Sequence, residues 1–123
     1  DDVRQKGFSY SEHVRIGTLP KYEYLKHVET SRIVGDGILT LDEEGLHFRG
    51  NENGNDFNFD LSTNEVPTFG MCTDITRFYT FVQGEFIEFF PDSRDVLRWD
   101  HLVEEMHRYK GGSWQNTNYR HNG

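Results

Sequence analysis

Residues 35–61, GDGILTLDEEGLHFRGNENGNDFNFDL, contain three short apolar alternations separated by two turn signals. Leu39 and Leu41 form the first set, Leu46 and Phe48 the second, and Phe57, Phe59 and Leu61 the third. A period of two places each set on one face of a strand. Asp42-Glu43-Glu44-Gly45 reads as a turn whose glycine accepts a positive φ. Asn53-Gly54 is the strongest hairpin signal in the chain. The stretch predicts a three-stranded meander with one face in the core and one in water.

Downstream, residues 62–64 form a further turn, and Val66-Pro67 reads as an edge or an entry to a strand. Two aromatic runs, Ile75–Val82 and Glu85–Phe90, flank Gln83-Gly84, which predicts a second two-residue hairpin. Both runs carry aromatic residues on both faces. The bland reading is a core face backed by helix packing. The sharper one is a docking surface for a domain, an acyl chain or a membrane interface, formed by Arg77, Tyr79, Phe81, Phe86 and Phe89. Pro91-Asp92-Ser93 then announces a helix, with Asp92 or Ser93 as N-cap. Trp99, Leu102, Val103 and Met106 recur on one helical stripe. Arg108 and Lys110 suit the negative end of the helix dipole, and Gly111-Gly112 is a C-cap signal. The tail beyond is polar, with Trp114 and Tyr119 as its docking points.

Upstream the pattern is weaker. Phe8 to Ile16 alternates partly and fits a strand, which Leu19-Pro20 ends. Residues 22–28 fit a short helix or a strand equally well. The organisation expected is a lead-in over residues 1–32, a single domain over 33–112 and a polar tail over 113–123. The fold class expected is α+β, mainly β: an antiparallel barrel or sandwich closed by a C-terminal helix at about residues 93–110. Pleckstrin-homology and GRAM domains share this order of elements, an analogy of fold that settles no function.

The composition is that of one small acidic domain. Its 123 residues include 34% hydrophobic and 15% aromatic residues, so large rings supply much of the core. The net charge is −8, and residues 36–92 carry two Lys/Arg against twelve Asp/Glu. Such a band repels nucleic acid and anionic lipid. The one cysteine, Cys72, permits no intrachain disulfide, so nothing points to secretion. No apolar run approaches the length of a membrane span. The charged start, Asp-Asp-Val-Arg-Gln-Lys, reads either as a cut inside a longer protein or as a chain that has lost its Met.

Catalytic signatures are missing. None of the six histidines has a histidine partner at i+4, and His101 and His107 lie six apart on different sides of a helix. Acids and His47 could form a metal site only by meeting in space, and Asp56 and Asp60 lack EF-hand spacing. No base is placed beside Cys72. The carboxylates Asp42-Glu43-Glu44, Glu85 with Glu88, and Glu104-Glu105 are too abundant for any two to be singled out. The expectation is therefore no catalytic residue, no cofactor and no metal in this chain.

The runs VPTFGMCTDITRFYTF (66–81), GEFIEFFP (84–91), EEMHR (104–108) and GGSW (111–114) resemble a C-terminal extension of Firmicute proteins of the 1-acyl-glycerol-3-phosphate (lysophospholipid) acyltransferase family. The resemblance spans roughly residues 33–116. That family's catalytic motif is a His followed five positions later by Asp, and no histidine here has that partner. What the resemblance implies is a non-catalytic, GRAM-like accessory domain of a bacterial phospholipid-synthesis acyltransferase. It would dock on the catalytic domain or orient it at the membrane, in the cytoplasm or peripheral to the inner membrane face. The alternatives are a stand-alone lipid-headgroup or protein-binding module, in which Arg49 and Arg77 would cluster with the basic ends, and a small enzyme.

Overall fold

The computed structural model describes residues 7–18, 32–67, 70–71 and 77–108. These contain strands β1 (Ser9–Thr18), β2 (Arg32–Asp42), β3 (Gly45–Glu52), β4 (Asn55–Ser62), β5 (Gly70–Met71), β6 (Phe78–Val82) and β7 (Glu85–Pro91), followed by helix α1 (Val96–Arg108). All strand pairs are antiparallel, in the order β4-β3-β2-β1-β7-β6-β5. The class is α+β and mainly β, as the patterning predicts: one curled, half-barrel sheet with a C-terminal helix.

The meander forms where the alternation places it. Leu39, Leu41, Leu46, Phe48, Phe59 and Leu61 are all buried in one core cluster, with Phe57 packed against it. The two-residue turns at Asn53-Gly54 and Gln83-Gly84 have matching geometry, with φ of 53° and 85° in each. Positive φ at both central positions is the type I′ pattern, whose twist suits paired strands. Asp42 shapes the remaining turn by accepting the backbone N–H of Glu44 at 2.9 Å and of Gly45 at 3.2 Å.

Curling is visible in the aromatic core. Four strand steps separate β4 from β7, which would be about 19 Å in a flat sheet. Yet the rings of Phe59 on β4 and Phe89 on β7 lie 6.4 Å apart, and Phe48 reaches Phe89 at 6.3 Å. Two features allow the bend. Gly37 and Gly50 sit opposite each other across β2 and β3, and the Phe48 ring fills the space that two side chains would occupy. A bulge between Ile16 and Gly17 shifts the β1–β2 register and adds twist.

β1 falls inside the segment read as a lead-in, but it is the central strand. It pairs with β2 along its whole length and with β7 over Val14–Gly17. Its buried residues Val14 and Ile16 therefore belong to the core.

The helix packs Val96, Trp99, Leu102, Val103 and Met106 onto the open side of the half-barrel. Trp99 stacks edge-on against Tyr10 at 4.9 Å and donates its Nε1–H to Glu12 at 2.8 Å. The cap is Asp95, not Asp92 or Ser93: its Oδ1 accepts the Arg98 N–H at 3.1 Å. Pro91 delays the helix, because its carbonyl closes a tight turn with the Arg94 N–H at 2.9 Å and Arg94 takes a φ of 63°. At the other end His107 donates Nε2–H to the Val66 carbonyl at 2.8 Å, tying the helix to the chain after β4. The expectations for residues 22–28, for Cys72, Lys110 and Gly111-Gly112 and for Trp114 and Tyr119 lie outside the described residues.

Gly37→Ala should lower unfolding free energy by about 1–3 kcal/mol, as overpacking does, because the new Cβ would collide with the Arg49 carbonyl oxygen. Phe48→Ala should cost roughly 3–5 kcal/mol. Leu97→Gln, at a position 58% exposed, should change stability by less than about 0.5 kcal/mol. Urea midpoints check all three, and a Gly37→Ala chain as stable as its parent would show that the close strand approach is dispensable.

Candidate functional site

The outer surface of β6 and β7 carries most of the residues expected to dock a partner. Alternation sends Phe78, Thr80 and Val82 inward, with Phe89 opposite Phe78, Ile87 opposite Thr80 and Glu85 opposite Val82 at the turn. Tyr79, Phe81 and Phe86 fall on the outer face. Phe86 sits between its neighbours, with ring centroids 5.1 Å from Tyr79 and 5.7 Å from Phe81. Phe86 is buried while Phe81 keeps 38% of its surface in solvent.

Arg77 lies further along the same face. Its Nε donates to Glu88 Oε2 at 3.1 Å, and Glu88 is only 3% exposed. The guanidinium carbons of Arg77 and Arg15 each lie 5.8 Å from the Phe90 ring centroid. The arrangement holds two cations against an aromatic face and one of them against a buried carboxylate. Of the five expected docking residues, four share this face. Phe89 does not: it is fully buried among Phe48, Phe59 and Phe78. Glu88 shares its face with Phe86 and Phe90, but Glu85 has the parity of Ile87 and Phe89, so the acids of β7 do not by themselves reveal this split.

Apart from the exposed Ile38, the outer face of β1–β4 is largely polar, and it builds two matched clamps. His13 on β1 places Nε2 2.7 Å from Asp36 on β2 and Nδ1 2.7 Å from Asp92 beyond β7. Asn51 donates to the other Asp36 oxygen at 2.8 Å. His47 on β3 places Nδ1 2.6 Å from Asp60 on β4 and Nε2 3.0 Å from Asp42 on β2. Arg49 Nη2 holds both Asp60 oxygens at 2.8 and 2.9 Å. Each imidazole thus bridges three segments of the sheet.

The titration directions follow from these contacts. Hydrogen bonds to Asp36 and then Asp92 hold the His13 imidazole above its ordinary value, and His13 in turn, with Asn51, holds the Asp36 carboxyl low. Burial works against a charged His47, but the bonds to Asp60 and Asp42 outweigh it and the net direction is upward. Asp60 is held low by His47 and then Arg49.

The acids considered for chemistry separate in space. Glu85 stands exposed beside the β6–β7 turn, whereas Glu88 is buried against Arg77. Asp60, weighed as a calcium ligand with Asp56, is committed to His47 and Arg49. Among the described residues one group brings three metal-capable side chains together, Asp42, Glu44 and His47, with one donor atom from each mutually within 4.8 Å. Spacing alone does not reveal it, because the antiparallel register of β2 and β3 brings position 47 back beside 42. No helix among the described residues is long and apolar enough to cross a membrane. No protein-family model matches the chain, and neither a curated protein nor a solved structure resembles it significantly.

The His13 clamp makes stability pH-dependent. Its contribution should be complete below the imidazole's ordinary 6.5 and be lost as pH rises through the higher folded value. Asp36 sets the acid limit: its contribution is present above its ordinary 3.8 and is lost as pH falls through the lower folded value. Thermal unfolding of the parent and His13→Gln chains should therefore differ most between about pH 4 and 6.5, and the gap should narrow towards pH 9. An unchanging difference over that range would remove the clamp's role.

Proposed function

We propose that this domain is a non-catalytic accessory module that docks on the catalytic domain of a bacterial phospholipid-synthesis acyltransferase, working at the cytoplasmic face of the membrane. The observation that carries the reading is the aromatic group on the outer face of β6–β7. Strand alternation calls for polar residues at Tyr79, Phe81 and Phe86, and the chain places a ring at each. A buried central ring, Phe86, flanked by the partly exposed Phe81 is the composition of protein-interface anchors. The resemblance of residues 33–116 to the acyltransferase extension supplies the identity of the partner.

A protein partner is favoured over a bilayer by charge. The acidic band of residues 36–92 opposes anionic lipid. The cations a headgroup site would recruit are also engaged: Arg77 with Glu88, and Arg49 with Asp60. A separate enzymatic role is disfavoured because Phe48, Phe59, Phe78, Phe89 and Trp99 occupy the interior of the half-barrel.

Titrating the chain into the catalytic domain of a His-x4-Asp lysophospholipid acyltransferase of this type should give a saturable complex. Phe81→Ser should weaken it roughly ten- to thirty-fold, the loss of one aromatic anchor, while Phe81→Tyr should retain it. Absence of a complex, or one indifferent to Phe81→Ser, overturns the proposal. Tight, salt-sensitive sedimentation with phosphatidylglycerol vesicles would transfer the function to headgroup binding.

A further inference from the structure

The turn joining β2 to β3 holds a second site that the docking role does not use. Asp42, Glu44 and His47 bring one donor atom each to within 4.8 Å of one another. Two of the three are held in place before any ligand arrives. Asp42 is half-buried, and its Oδ1 is fixed by the backbone N–H groups of Glu44 and Gly45. His47 is oriented from behind, with Nδ1 2.6 Å from Asp60 Oδ1. Asp60 is anchored in turn by Arg49, which also donates to the carbonyls of Phe48 at 2.8 Å and Phe59 at 3.1 Å. Glu44 is the exposed member and can close from the turn.

This is the pattern by which proteins present a histidine to a metal. One ring nitrogen donates to a carboxylate, which fixes the tautomer and aims the other nitrogen at the ion. Here the aimed nitrogen is Nε2, which points at Asp42. An imidazole with two carboxylates suits zinc-class cations, whereas calcium and magnesium prefer all-oxygen sites. Three protein donors leave a tetrahedral ion one position for water. Without a cation, a proton on Nε2 bridges to Asp42, and a cation entering there would displace that proton. Asp60 and Arg49 remain bound to each other in either state.

We propose that Asp42, Glu44 and His47 bind a zinc-class divalent cation at the β2–β3 turn, with Asp60 as the residue that positions the imidazole. The site is independent of the aromatic face of β6–β7, so either assignment can fail without the other. It would pin β2 to β3 through one ion, with β4 attached through Asp60.

Calorimetric titration of the full chain with zinc chloride, in a buffer that does not chelate zinc, should show one saturable site. Nitrogen-15 spectra of the histidine side chains should place the largest shift on His47 Nε2. Glu44→Gln, an exposed turn substitution that leaves the core alone, should weaken binding at least ten-fold, and His47→Gln should abolish this site. Asp60→Asn should weaken it about 10–100-fold, as loss of an orienting carboxylate does. His101→Gln should change nothing, although His101 pairs with Glu105 at 2.8 Å. Circular dichroism confirms that each variant is folded. Absence of saturable uptake at millimolar zinc, uptake that survives both Glu44→Gln and His47→Gln, or stronger binding of calcium than of zinc each overturns the proposal.

Discussion

A single strand has to serve two neighbours. β1 pairs with β2 on one side and β7 on the other, and this is the only link, within the described sheet, between the β2–β4 meander and the β5–β7 meander. Separately, a three-stranded ribbon and a hairpin with a two-residue edge would each leave an apolar face in water, and such pieces are marginal. Joined through β1 they curl until Phe59 on β4 meets Phe89 on β7. The inner faces then share one core, and α1 has a single concave surface to cover. Val14 and Ile16, both fully buried, sit at the seam.

The polar chemistry of the outer face follows from that seam. Antiparallel register places His13 beside Asp36, and the β1–β7 pairing brings the turn after Pro91 within reach of its other nitrogen. His47 is set between Asp42 and Asp60 by the two hairpin registers. Both imidazoles lie on the side of the sheet away from the core rings, where water still reaches them. Exposed ion pairs contribute little each to stability. Their value here is directional, because each clamp accepts only one alignment of three segments. A one-residue slip would turn the histidine inward and Leu39 or Leu46 outward.

What could be read from the chain divides by distance along it. The meander, the two I′ turns and the buried stripe of α1 are local patterns, and all are where the patterning places them. The role of β1 depends on pairing with residues more than seventy positions away, and no local signal in residues 9–18 announces it. The helix cap moved from Asp92 or Ser93 to Asp95 because Pro91 starts a tight turn of its own, which leaves Asp92 to bind His13. Phe89 shares its parity with Ile87, but with acids at both Glu85 and Glu88 the alternation of β7 does not say which parity is the core. The Asp42–Glu44–His47 grouping was open only as a meeting in space, since spacing in the chain says nothing about which residues a hairpin sets side by side.

The two faces of the sheet also bear differently on partners. Under the β2–β4 meander the inner face holds the buried Phe48 and Phe59, and the outer face is an interlocked set of acids, amides and imidazoles around the exposed Ile38. Over β6–β7 the outer face is aromatic, and cations there are stacked on Phe90 or paired with buried Glu88 rather than offered to solvent. A surface that binds anionic headgroups needs the opposite arrangement, with cations outward and acids remote. A surface that binds protein needs a desolvated aromatic centre with a polar rim. Phe86 is already desolvated by Tyr79 and Phe81, so a partner covering Phe81 would extend a packed cluster rather than order a loose one. Little side-chain entropy would be lost in that step, which is the physical reason a small patch on an acidic domain can still hold a protein.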